Sequence, residues 1–527
     1  MLIDCSLVEN IKLDNYEVAV IGGGTSGINL VSELLKNRPN TKICLIESGG
    51  FNAEEKVNHL DSSESDLDKI DFSRSIARYF GGKSNLWDGR IVPLDEDELG
   101  KWPIDNKELY FWINKSLKIL GIKNISIDNL INKSNNIFIN QKLGKLLSHK
   151  FDVAPAFFSQ EIKRFNMNHL KEFNPIKSLT FDIFIHANAM KLHRNKNNNL
   201  ISNVELRDSL NHYKKPINLK AKYFVICSGG IETVKILLNS TKGLANSSQM
   251  LGLNFSGHPR GIQGIIKLNK SIPIKSIHLN SNVNNKSFVK SEFGLKLKNN
   301  YKNSTFVKSR IVLNPVDFAF HNKLYYLLKP NMAYMRNYLE ENNINPYGYL
   351  KGFFYLLFSK ISDKLNLPRK TKYIYIRNYL GASLNKKSKI YFKKELIEEK
   401  SLKIKCSIDW QISKEDKESL VKTHNTLDEI LRENSIGYLK HEAKIKNWRI
   451  WGGSSHFMST TVMSEDPNKG IVNKDCKSHD HKNLYISGPN VFPTPSYANP
   501  MLMIVAISLR LGKEIADTLN KDEKNIL

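Results

Sequence analysis

The stretch that decides the fold is Glu17-Val-Ala-Val-Ile-Gly-Gly-Gly-Thr-Ser-Gly27, an apolar run that leads into a cluster of glycines. It predicts a strand, a tight turn and a helix over residues 25–37. Gly22 permits the turn, Gly24 lets the backbone approach a pyrophosphate, and Gly27 lets the helix pack close to the strand. The positive N-terminal end of such a helix suits phosphate groups.

A second apolar run, Ile43-Cys-Leu-Ile-Glu47-Ser-Gly-Gly50, ends in an acid about twenty residues beyond the glycines. An acid at this position accepts hydrogen bonds from ribose hydroxyls, which argues against a cofactor with a 2′-phosphate. The glycine motif alone would be weak evidence. With the strand before it, the helix after it and this acid, it predicts an adenine-dinucleotide site in a doubly wound α/β domain.

Length and composition set the broad class. With 527 residues and 41% hydrophobic content, the chain can bury a large core in more than one domain. No stretch approaches the roughly 18 apolar residues of a membrane span, and the N-terminal residues lack the pattern of a signal peptide. We therefore expect a cytoplasmic protein. The five cysteines show no disulfide or metal spacing and are expected to be buried free thiols.

The net charge of +26 raises the alternative of a nucleic-acid-binding protein. The excess is mostly lysine spread along the whole chain, without a basic helix, a zinc module or an aromatic stacking motif. We expect no nucleic-acid partner. Salt-sensitive affinity for an anionic surface or an acidic substrate stays open.

Three further blocks repeat the pattern of a strand followed by glycine. The loop over 80–90 is rich in glycine and aromatic residues and suits close approach to a flat ring. Residues 223–230 predict a buried strand and a glycine turn, followed by a helix over 231–238. Residues 483–488 predict another strand, followed by prolines and an apolar helix over 501–519.

Together these blocks resemble the glucose-methanol-choline (GMC) oxidoreductases, which are FAD-dependent alcohol oxidases and dehydrogenases. The matching blocks are, in order, GGGTSG with IESGG, RYFGGKSNLWDGR with KWPI, YFVICSGGIETVKILLNS, LGLNFSGHPRG, SSHFMSTTVMSEDP and NLYISGPNVFPTPSYANPMLMIVAISLRL. The resemblance implies a Rossmann-like α/β FAD-binding domain made of residues 1–125, 177–262 and 450–527. It also implies an α+β substrate-binding domain with an antiparallel sheet, made of residues 126–176 and 263–449.

The middle of the chain carries its own patterns. Apolar and polar residues alternate over 402–410, which predicts an antiparallel strand with one buried face and with a solvent face formed by Lys403, Lys405, Ser407 and Asp409. Residues 413–434 predict an amphipathic helix. The segments 324–328 and 349–358 are apolar and aromatic but too short to span a bilayer. They fit helices packed in the substrate domain, a lid over the substrate pocket, or a patch resting on a membrane.

The resemblance implies that His456, within Ser454-Ser-His-Phe-Met-Ser-Thr-Thr461, is the catalytic base. Alcohol oxidation needs a base to take the hydroxyl proton while hydride leaves the carbinol carbon for flavin N5, and the ordinary histidine pKa of about 6.5 suits that task. The resemblance likewise implies that Asn499 is the partner that orients the substrate oxygen. Asn499-Pro500 also begins a helix whose N-terminus would stabilise the reduced flavin. His258, in a His-Pro pair typical of the family, is interpreted as structural.

The resemblance also implies a set of cofactor-binding residues, namely Gly22, Gly24, Thr25, Ser26, Gly27, Glu47, Ser48, Arg78, Gly81, Gly82, Ser84, Asn85, Leu86, Trp87, Ala189, Met190, Ser228, Gly229, Glu232, Gly488, Pro489, Asn499, Pro500 and Met501. No metal site is expected. Leu86 stands where some members carry a histidine bonded to the flavin, so we expect noncovalent FAD. Ser459 and Val462 depart from the family's H-x-x-G-T-x-R-M, replacing its glycine and its arginine.

The resulting hypothesis is an FAD-dependent oxidoreductase that converts a primary or secondary hydroxyl of a small molecule to a carbonyl. A sugar or polyol is the first choice of substrate, and a sterol or long-chain alcohol is the alternative. Two hypotheses belong to other classes of protein. One is a flavin-binding protein without turnover, suggested by Ser459 and Val462. The other is a basic binding protein with a vestigial glycine motif. The electron acceptor and the oligomeric state are not specified by the sequence.

Overall fold

A computed structural model describes the larger part of the chain, and every structural statement below concerns that part. The described residues are 1–8, 15–58, 60, 63–65, 76–159, 161–169, 181–195, 198–211, 215–240, 244–273, 281–282, 290–298, 309–316, 361, 365, 370–392, 406–440 and 456–525.

The strands are numbered in chain order: β1 (Leu2–Asp4), β2 (Tyr16–Ile21), β3 (Ile43–Ile46), β4 (Ser63–Ser65), β5 (Arg90–Ile91), β6 (Phe151–Phe158), β7 (Phe181–Ile185), β8 (Ala187–Arg194), β9 (Ile201–Asp208), β10 (Ile217–Leu219), β11 (Ala221–Ile226), β12 (Arg260–Pro273), β13 (Ser281–Asn282), β14 (Lys290–Leu297), β15 (Ser309–Val316), β16 (Lys370–Leu380), β17 (Lys389–Tyr391), β18 (Cys406–Asp409), β19 (Gly437–Lys440) and β20 (Leu484–Ile486).

The α-helices are α1 (Thr25–Asn37), α2 (Glu55–Asn58), α3 (Glu96–Leu99), α4 (Asn106–Ile119), α5 (Ile127–Ile139), α6 (Lys142–Leu147), α7 (Gly229–Asn239), α8 (Lys414–Glu433) and α9 (Met501–Lys524). The helices expected over 25–37, 231–238, 413–434 and 501–519 are therefore present, as α1, α7, α8 and α9. Among the described residues, no helix combines the length and the apolar character needed to cross a membrane.

A six-stranded parallel sheet forms the centre of the larger core, in the order β1-β7-β3-β2-β11-β20. Its central strands β2, β3 and β11 are almost entirely buried, as expected of a parallel sheet covered on both faces. Helices α1 and α9 pack against each other, and a Cβ on Gly512 would lie 2.5 Å from the Leu30 carbonyl oxygen. The helices can approach this closely only because residue 512 has no side chain.

Two further sheets are antiparallel. The order β10-β9-β8 makes a small sheet, and the order β19-β12-β16-β15-β14-β6-β5, with β13 beside β14, makes an eight-stranded sheet. One face of the large sheet shares a second hydrophobic core with α5, α6 and α8. The chain thus combines a parallel sheet in the larger core with an antiparallel sheet that contributes residues to both cores. The residue boundaries expected for the two domains stay a prediction.

The strand expected over 402–410 needs two corrections. The described part is β18, which pairs antiparallel with β17 but parallel with β4, so its small sheet is mixed. Ser407 was expected on a solvent face, yet only 1% of it is exposed. Cys406 and Ile408 pack on one face of the strand, in the core around the parallel sheet. The opposite face, which carries Ser407, is buried as well. The expected positions 402–405 lie outside the described residues, as do the segments 324–328 and 349–358.

All five cysteines are buried and free, which confirms the expectation from their spacing. Burial raises the pKa of the Cys227 thiol to about 12 and also raises the pKa of Cys44 well above 9. These thiols therefore stay protonated and act as small apolar groups in the core.

Charged side chains cluster beside the eight-stranded sheet. The Glu292 Oε1 atom lies 3.2 Å from both Arg90 Nη1 and Arg310 Nη2, and Arg310 is 1% exposed. Gly294 leaves room for Arg310, because a Cβ there would lie 2.1 Å from Arg310 Nε. Burial alone would raise the pKa of Glu292, but the charges of Arg310, Arg90 and Arg377 outweigh burial and lower it. The Glu292 carboxylate therefore compensates several buried arginine charges.

We expect Glu292→Gln to lower the free energy of unfolding by about 3–5 kcal/mol, because it leaves buried guanidinium groups without their carboxylate. Since folding lowers the pKa of Glu292, its contribution is present above the ordinary pKa of 4.5 and is lost as the pH falls through the lowered pKa of the folded state. Urea unfolding at pH 7 and at acidic pH checks both points. Glu161→Gln, at an exposed ion pair with Lys163, is the control. Equal losses for the two variants at pH 7 would contradict the assignment.

Candidate functional site

A cavity of about 440 Å³ lies at the carboxyl edge of the parallel sheet. Residues just after β2, β3 and β11 form its floor, because the carboxyl ends of parallel strands meet at one edge. The helices α1, α7 and α9 begin at its wall, and residues from the loop between positions 76 and 90 close another side. This volume is in the range of small-molecule and cofactor pockets.

Glycines shape the floor of this cavity. Gly22 has φ +114°, and a Cβ there would lie 2.7 Å from the Cys227 carbonyl oxygen. A Cβ on Gly27 would lie 2.0 Å from the Gly22 carbonyl oxygen. Gly24 differs, because the nearest atom to its Cβ position is the Gly82 Cα at 3.9 Å. Gly22 and Gly27 therefore serve backbone packing, whereas Gly24 faces open space in the cavity.

Three helix N-termini meet at the cavity, and the described residues provide no side-chain cap for any of them. Gly24 precedes α1, Ser228 precedes α7 and Pro500 precedes α9, each without a capping hydrogen bond from its side chain. The first N–H groups of a helix carry partial positive charge and need acceptors. The cavity is therefore suited to an anionic or electron-rich ligand.

Glu47 lines the cavity and also holds its glycine loop. Its carboxylate accepts hydrogen bonds from the backbone N–H of Gly23 (2.9 Å), the backbone N–H of Gly49 (3.0 Å) and the Ser48 hydroxyl (3.1 Å). Burial raises the pKa of Glu47, and these donors oppose that shift. A carboxylate offers about four acceptor positions, so this one retains capacity for a ligand hydroxyl.

An ion-pair cluster lies beside α7. The Glu232 carboxylate contacts the guanidinium of Arg78, and its Oε1 atom lies 2.8 Å from Lys235 Nζ. Burial would raise the pKa of Glu232, but Arg78 and Lys235 lower it to about 2. Arg78 Nη1 also donates to the Ser48 hydroxyl at 3.2 Å. The cluster stays charged at neutral pH and ties the segment before the glycine-rich loop to α7.

The loop over 80–90 contains a 3₁₀ helix, Gly82–Asn85. The Gly81 N–H donates to the Gly23 carbonyl at 2.8 Å, which anchors the loop on the turn before α1. The Ser84 hydroxyl donates to the Gly81 carbonyl at 2.7 Å. The ammonium of Lys83 lies 4.0 Å from the ring centre of Phe457, which draws the loop toward the segment that carries His456.

His456 lines the cavity and contacts His258. Their Nδ1 atoms are 3.1 Å apart, and Nε2 of His258 lies 3.2 Å from the Pro495 carbonyl oxygen. Two backbone hydrogen bonds join Ser256 to Met458 nearby. His258, which is 1% exposed, is thus held between the His456 segment and the loop before α9.

That loop delivers Asn499 to the same cavity. The Ser496 hydroxyl donates to Glu98, and the Tyr497 hydroxyl donates to Asp95 at 2.8 Å. Burial and these two carboxylates raise the pKa of Tyr497 well above 10, so its phenol remains a hydrogen-bond donor. The contacts lock the backbone just before Asn499, which brings its side chain to the cavity wall with His456.

Ser459 occupies a left-handed conformation with φ +63°. This explains why glycine suits the position in the pattern H-x-x-G-T-x-R-M. The Ser459 hydroxyl donates to the Phe492 carbonyl at 2.9 Å, which offsets part of the conformational cost of a side chain there. The substitution therefore keeps the backbone next to His456 in the shape that glycine would allow. Val462 is buried in the core.

Most of the predicted site residues meet at this cavity. Those that line it are Gly22, Gly24, Thr25, Ser26, Glu47, Ser48, Arg78, Gly82, Leu86, Trp87, Ala189, Ser228, Gly229, Glu232, His456, Pro489, Asn499, Pro500 and Met501. Those that do not are Gly27, Gly81, Ser84, Asn85, Met190 and Gly488.

The residues behind the cavity wall have identifiable packing roles. Met190 packs with Val57 and Leu60, away from the cavity. Asn85 donates to the backbone carbonyls of its own loop. Gly488 has φ +130°, which its turn after β20 requires. These positions support the site from behind.

Sequence reasoning missed several residues that line the cavity, among them Lys83, Arg90, Asn188 and Phe457. Lys83 and Arg90 lie within the glycine-rich loop that was singled out, so a charge count over that loop would have found them. Asn188 lies on β8, where the sequence carries no comparable signal. The nearness of His258 to His456 was also missed, since it depends on a contact between distant segments.

Part of the sequence is similar to known proteins. The family model described as GMC oxidoreductase matches residues 387–508, which include His456 and Asn499. A C-glycoside 3-oxidase from Arthrobacter globiformis is 33% identical over 69 residues, a stretch of 13% of this chain and 13% of that protein. The chain thus matches only a small part of the length of this curated relative.

Solved structures resemble the whole chain. A fungal aryl-alcohol oxidase superposes with a TM-score of 0.57 at 12% identity, covering 96% of this chain and 100% of the oxidase. Pyridoxine 4-oxidase from Mesorbium loti gives 0.55 at 12% identity over 95% and 99% of the two chains. Formate oxidase from Aspergillus oryzae gives 0.58 at 12% identity over 97% and 100%. At these identities the likeness shows a shared fold.

The sequence motifs, the matched family model and the shared fold point to the same group of proteins. Residues 387–508 of the chain match the GMC oxidoreductase family model, and the chain shares its fold with these three oxidases.

Proposed function

We propose that the protein is an FAD-dependent oxidoreductase that oxidises a hydroxyl group to a carbonyl, with His456 as the base and Asn499 as the substrate anchor. The observation that carries the proposal is the meeting of these two side chains with three helix N-termini in one cavity. Those N-termini favour a ligand with negative charge, and the two side chains offer a proton acceptor and an amide.

The residues of the cavity fit FAD in a Rossmann-like domain. Gly24 leaves open space next to the N-terminus of α1, as a pyrophosphate requires. Glu47 follows β3 and retains an acceptor position for a ribose hydroxyl. The start of α9 would offer partial positive charge to an isoalloxazine ring bound there. Leu86 at the cavity wall has no group that bonds covalently to a flavin, so the FAD is proposed to be noncovalent.

When bound, FAD supplies a two-electron acceptor for the hydride that leaves the carbinol carbon. The imidazole of His456 takes the hydroxyl proton: the O–H bond breaks and an N–H bond forms. The side-chain amide of Asn499 donates to the substrate oxygen and holds it next to His456. The apolar side chains of Phe457, Met501 and Ile504 limit the water that reaches this end of the cavity.

A sugar or polyol is the proposed substrate class. The sequence similarity to a C-glycoside 3-oxidase supports it, although that similarity covers 69 residues. Sterols and long-chain alcohols form the alternative class, which would require that the aromatic segment 349–358, outside the described residues, line an apolar tunnel. The division into an FAD-binding and a substrate-binding domain, with the boundaries given above, belongs to the same proposal.

The first measurement is the visible absorption spectrum of the purified protein, followed by anaerobic addition of sugars, polyols and long-chain alcohols. We expect a yellow protein whose flavin absorbance bleaches with a sugar or polyol. Bleaching only with a long-chain alcohol or sterol would replace the substrate class. A yellow protein that no alcohol reduces would favour flavin binding without turnover, and a protein that cannot take up FAD would refute the proposal.

We expect Gly24→Ala to weaken FAD binding by about tenfold or more, equivalent to about 1.4 kcal/mol, because the methyl group fills the space proposed for the pyrophosphate. Gly24 has φ −90° and its Cβ position meets no atom closer than 3.9 Å, so the apoprotein should fold normally. Equilibrium titration with FAD and thermal unfolding of the apoprotein separate the two effects.

The matched control is Gly100→Ala, at φ −62° and with its nearest atom 3.5 Å from the Cβ position, outside the cavity. It should leave FAD affinity unchanged. If Gly24→Ala binds FAD as tightly as this control, the pyrophosphate does not lie at α1.

We expect His456→Ala to slow flavin reduction by roughly two to four orders of magnitude, the usual range for loss of general base catalysis. Anaerobic stopped-flow measurement of the flavin absorbance gives this rate. His193→Ala is the control, because His193 pairs with Glu205 outside the cavity. Reduction of His456→Ala at the parental rate would remove His456 from the mechanism.

A further inference from the structure

We propose that His258 is a positioning residue that fixes the tautomer of His456, so that Nε2 of His456 is the atom that accepts the substrate proton. This inference rests on the proposed function, in which His456 is the base. It assigns a functional role to His258, which the sequence analysis interpreted as a structural residue.

The backbone makes the two histidines a cross-strand pair. Ser256 and Met458 form an antiparallel bridge, with N–H···O distances of 3.2 Å and 2.9 Å. His258 lies two residues after one member of this bridge and His456 two residues before the other, so they face each other in the same antiparallel register. Their ring centres are 4.8 Å apart.

Gly257 allows this close approach. A Cβ at position 257 would lie 3.0 Å from the Trp410 ring and 3.2 Å from the His456 carbonyl oxygen. A side chain there would push the two segments apart. The close packing of the two backbone segments therefore determines the distance between the two imidazole rings.

The hydrogen bonds around His258 determine where the protons lie. The Pro495 carbonyl can only accept, so Nε2 of His258, 3.2 Å away, carries the hydrogen of that bond. In the neutral ring, Nδ1 of His258 is then an acceptor. Nδ1 of His456, at 3.1 Å, must donate to it. This leaves the lone pair of neutral His456 on Nε2.

The arrangement suits a base that changes its charge. When the hydroxyl proton moves to Nε2 of His456, the N–H group at Nδ1 keeps its hydrogen bond to His258. The imidazolium that forms is held in place without any rearrangement of its neighbours. The Pro495 carbonyl belongs to the loop that leads to Asn499, so the same chain of contacts aligns the base with the substrate anchor.

The direct test is the ¹⁵N NMR spectrum of the imidazoles in the histidine-labelled holoprotein, with His456 assigned from the difference spectrum of His456→Gln. We expect neutral His456 to be protonated at Nδ1 and neutral His258 at Nε2. Protonation of neutral His456 at Nε2 would overturn the proposal. This readout needs no turnover, so it separates a wrong tautomer from a failure of the proposed activity.

Two variants test the functional consequence. His258→Phe keeps a buried ring but removes the acceptor, and we expect it to lower the rate of flavin reduction about 10- to 100-fold, as for other partners that orient a reactive imidazole. His258→Asn offers a side-chain oxygen to Nδ1 of His456 and should recover most of this rate. KM and FAD content should change little in both.

His424→Phe is the control, because His424 is also buried and lies outside the cavity, where it contacts Asn378. It should reduce its flavin at the parental rate. An unchanged rate in His258→Phe would contradict the proposal, as would equal losses in the Phe and Asn variants. If a variant at 258 fails to fold, the tautomer measured in the parent protein still decides the question.

Discussion

Three backbone segments meet at Gly22 with no room for a side chain, and the arrangement of the cavity depends on this contact. Strand β11 approaches Gly22 through the Cys227 carbonyl, and α1 approaches it through Gly27. The turn between β2 and α1 therefore directs the helix N-terminus over the carboxyl edge of the sheet. Gly24, two residues later, borders the open space that results. One packing constraint thus positions the part of the cavity in which we propose that a dinucleotide binds.

A second constraint positions the side chains of His456 and Asn499. The bridge between Ser256 and Met458 joins two segments that lie far apart in the sequence, and it brings His258 against His456. The loop before α9 contributes the Pro495 carbonyl and Asn499 from the other side. The ion pairs around Glu232 and Glu292 flank the cavity and remain charged, because nearby arginine and lysine side chains lower the pKa of both carboxyls.

Local patterns predicted much of this site because local geometry controls it. The glycines of residues 22–27 demand a turn before α1, and the apolar runs before Glu47 and Cys227 demand buried strands. The sequence could not predict the His258–His456 contact or the parallel pairing of β18 with β4, since both depend on how distant segments meet. The burial of Ser407 was missed for the same reason. The alternation of apolar and polar residues predicts a strand, but it does not show which residues pack on the polar face.

The order of strands in the parallel sheet also has consequences for how the protein acquires its site. The strand at one edge, β20, and the helix α9 against α1 come from residues 484–524, whereas β2 and α1 come from residues 16–37. During synthesis, the N-terminal glycine turn is complete long before its partners emerge from the ribosome. Such long-range pairing slows folding and exposes apolar strands in the meantime. The nascent chain therefore has to remain unaggregated until β20 and α9 arrive, and the cavity is complete only after that point.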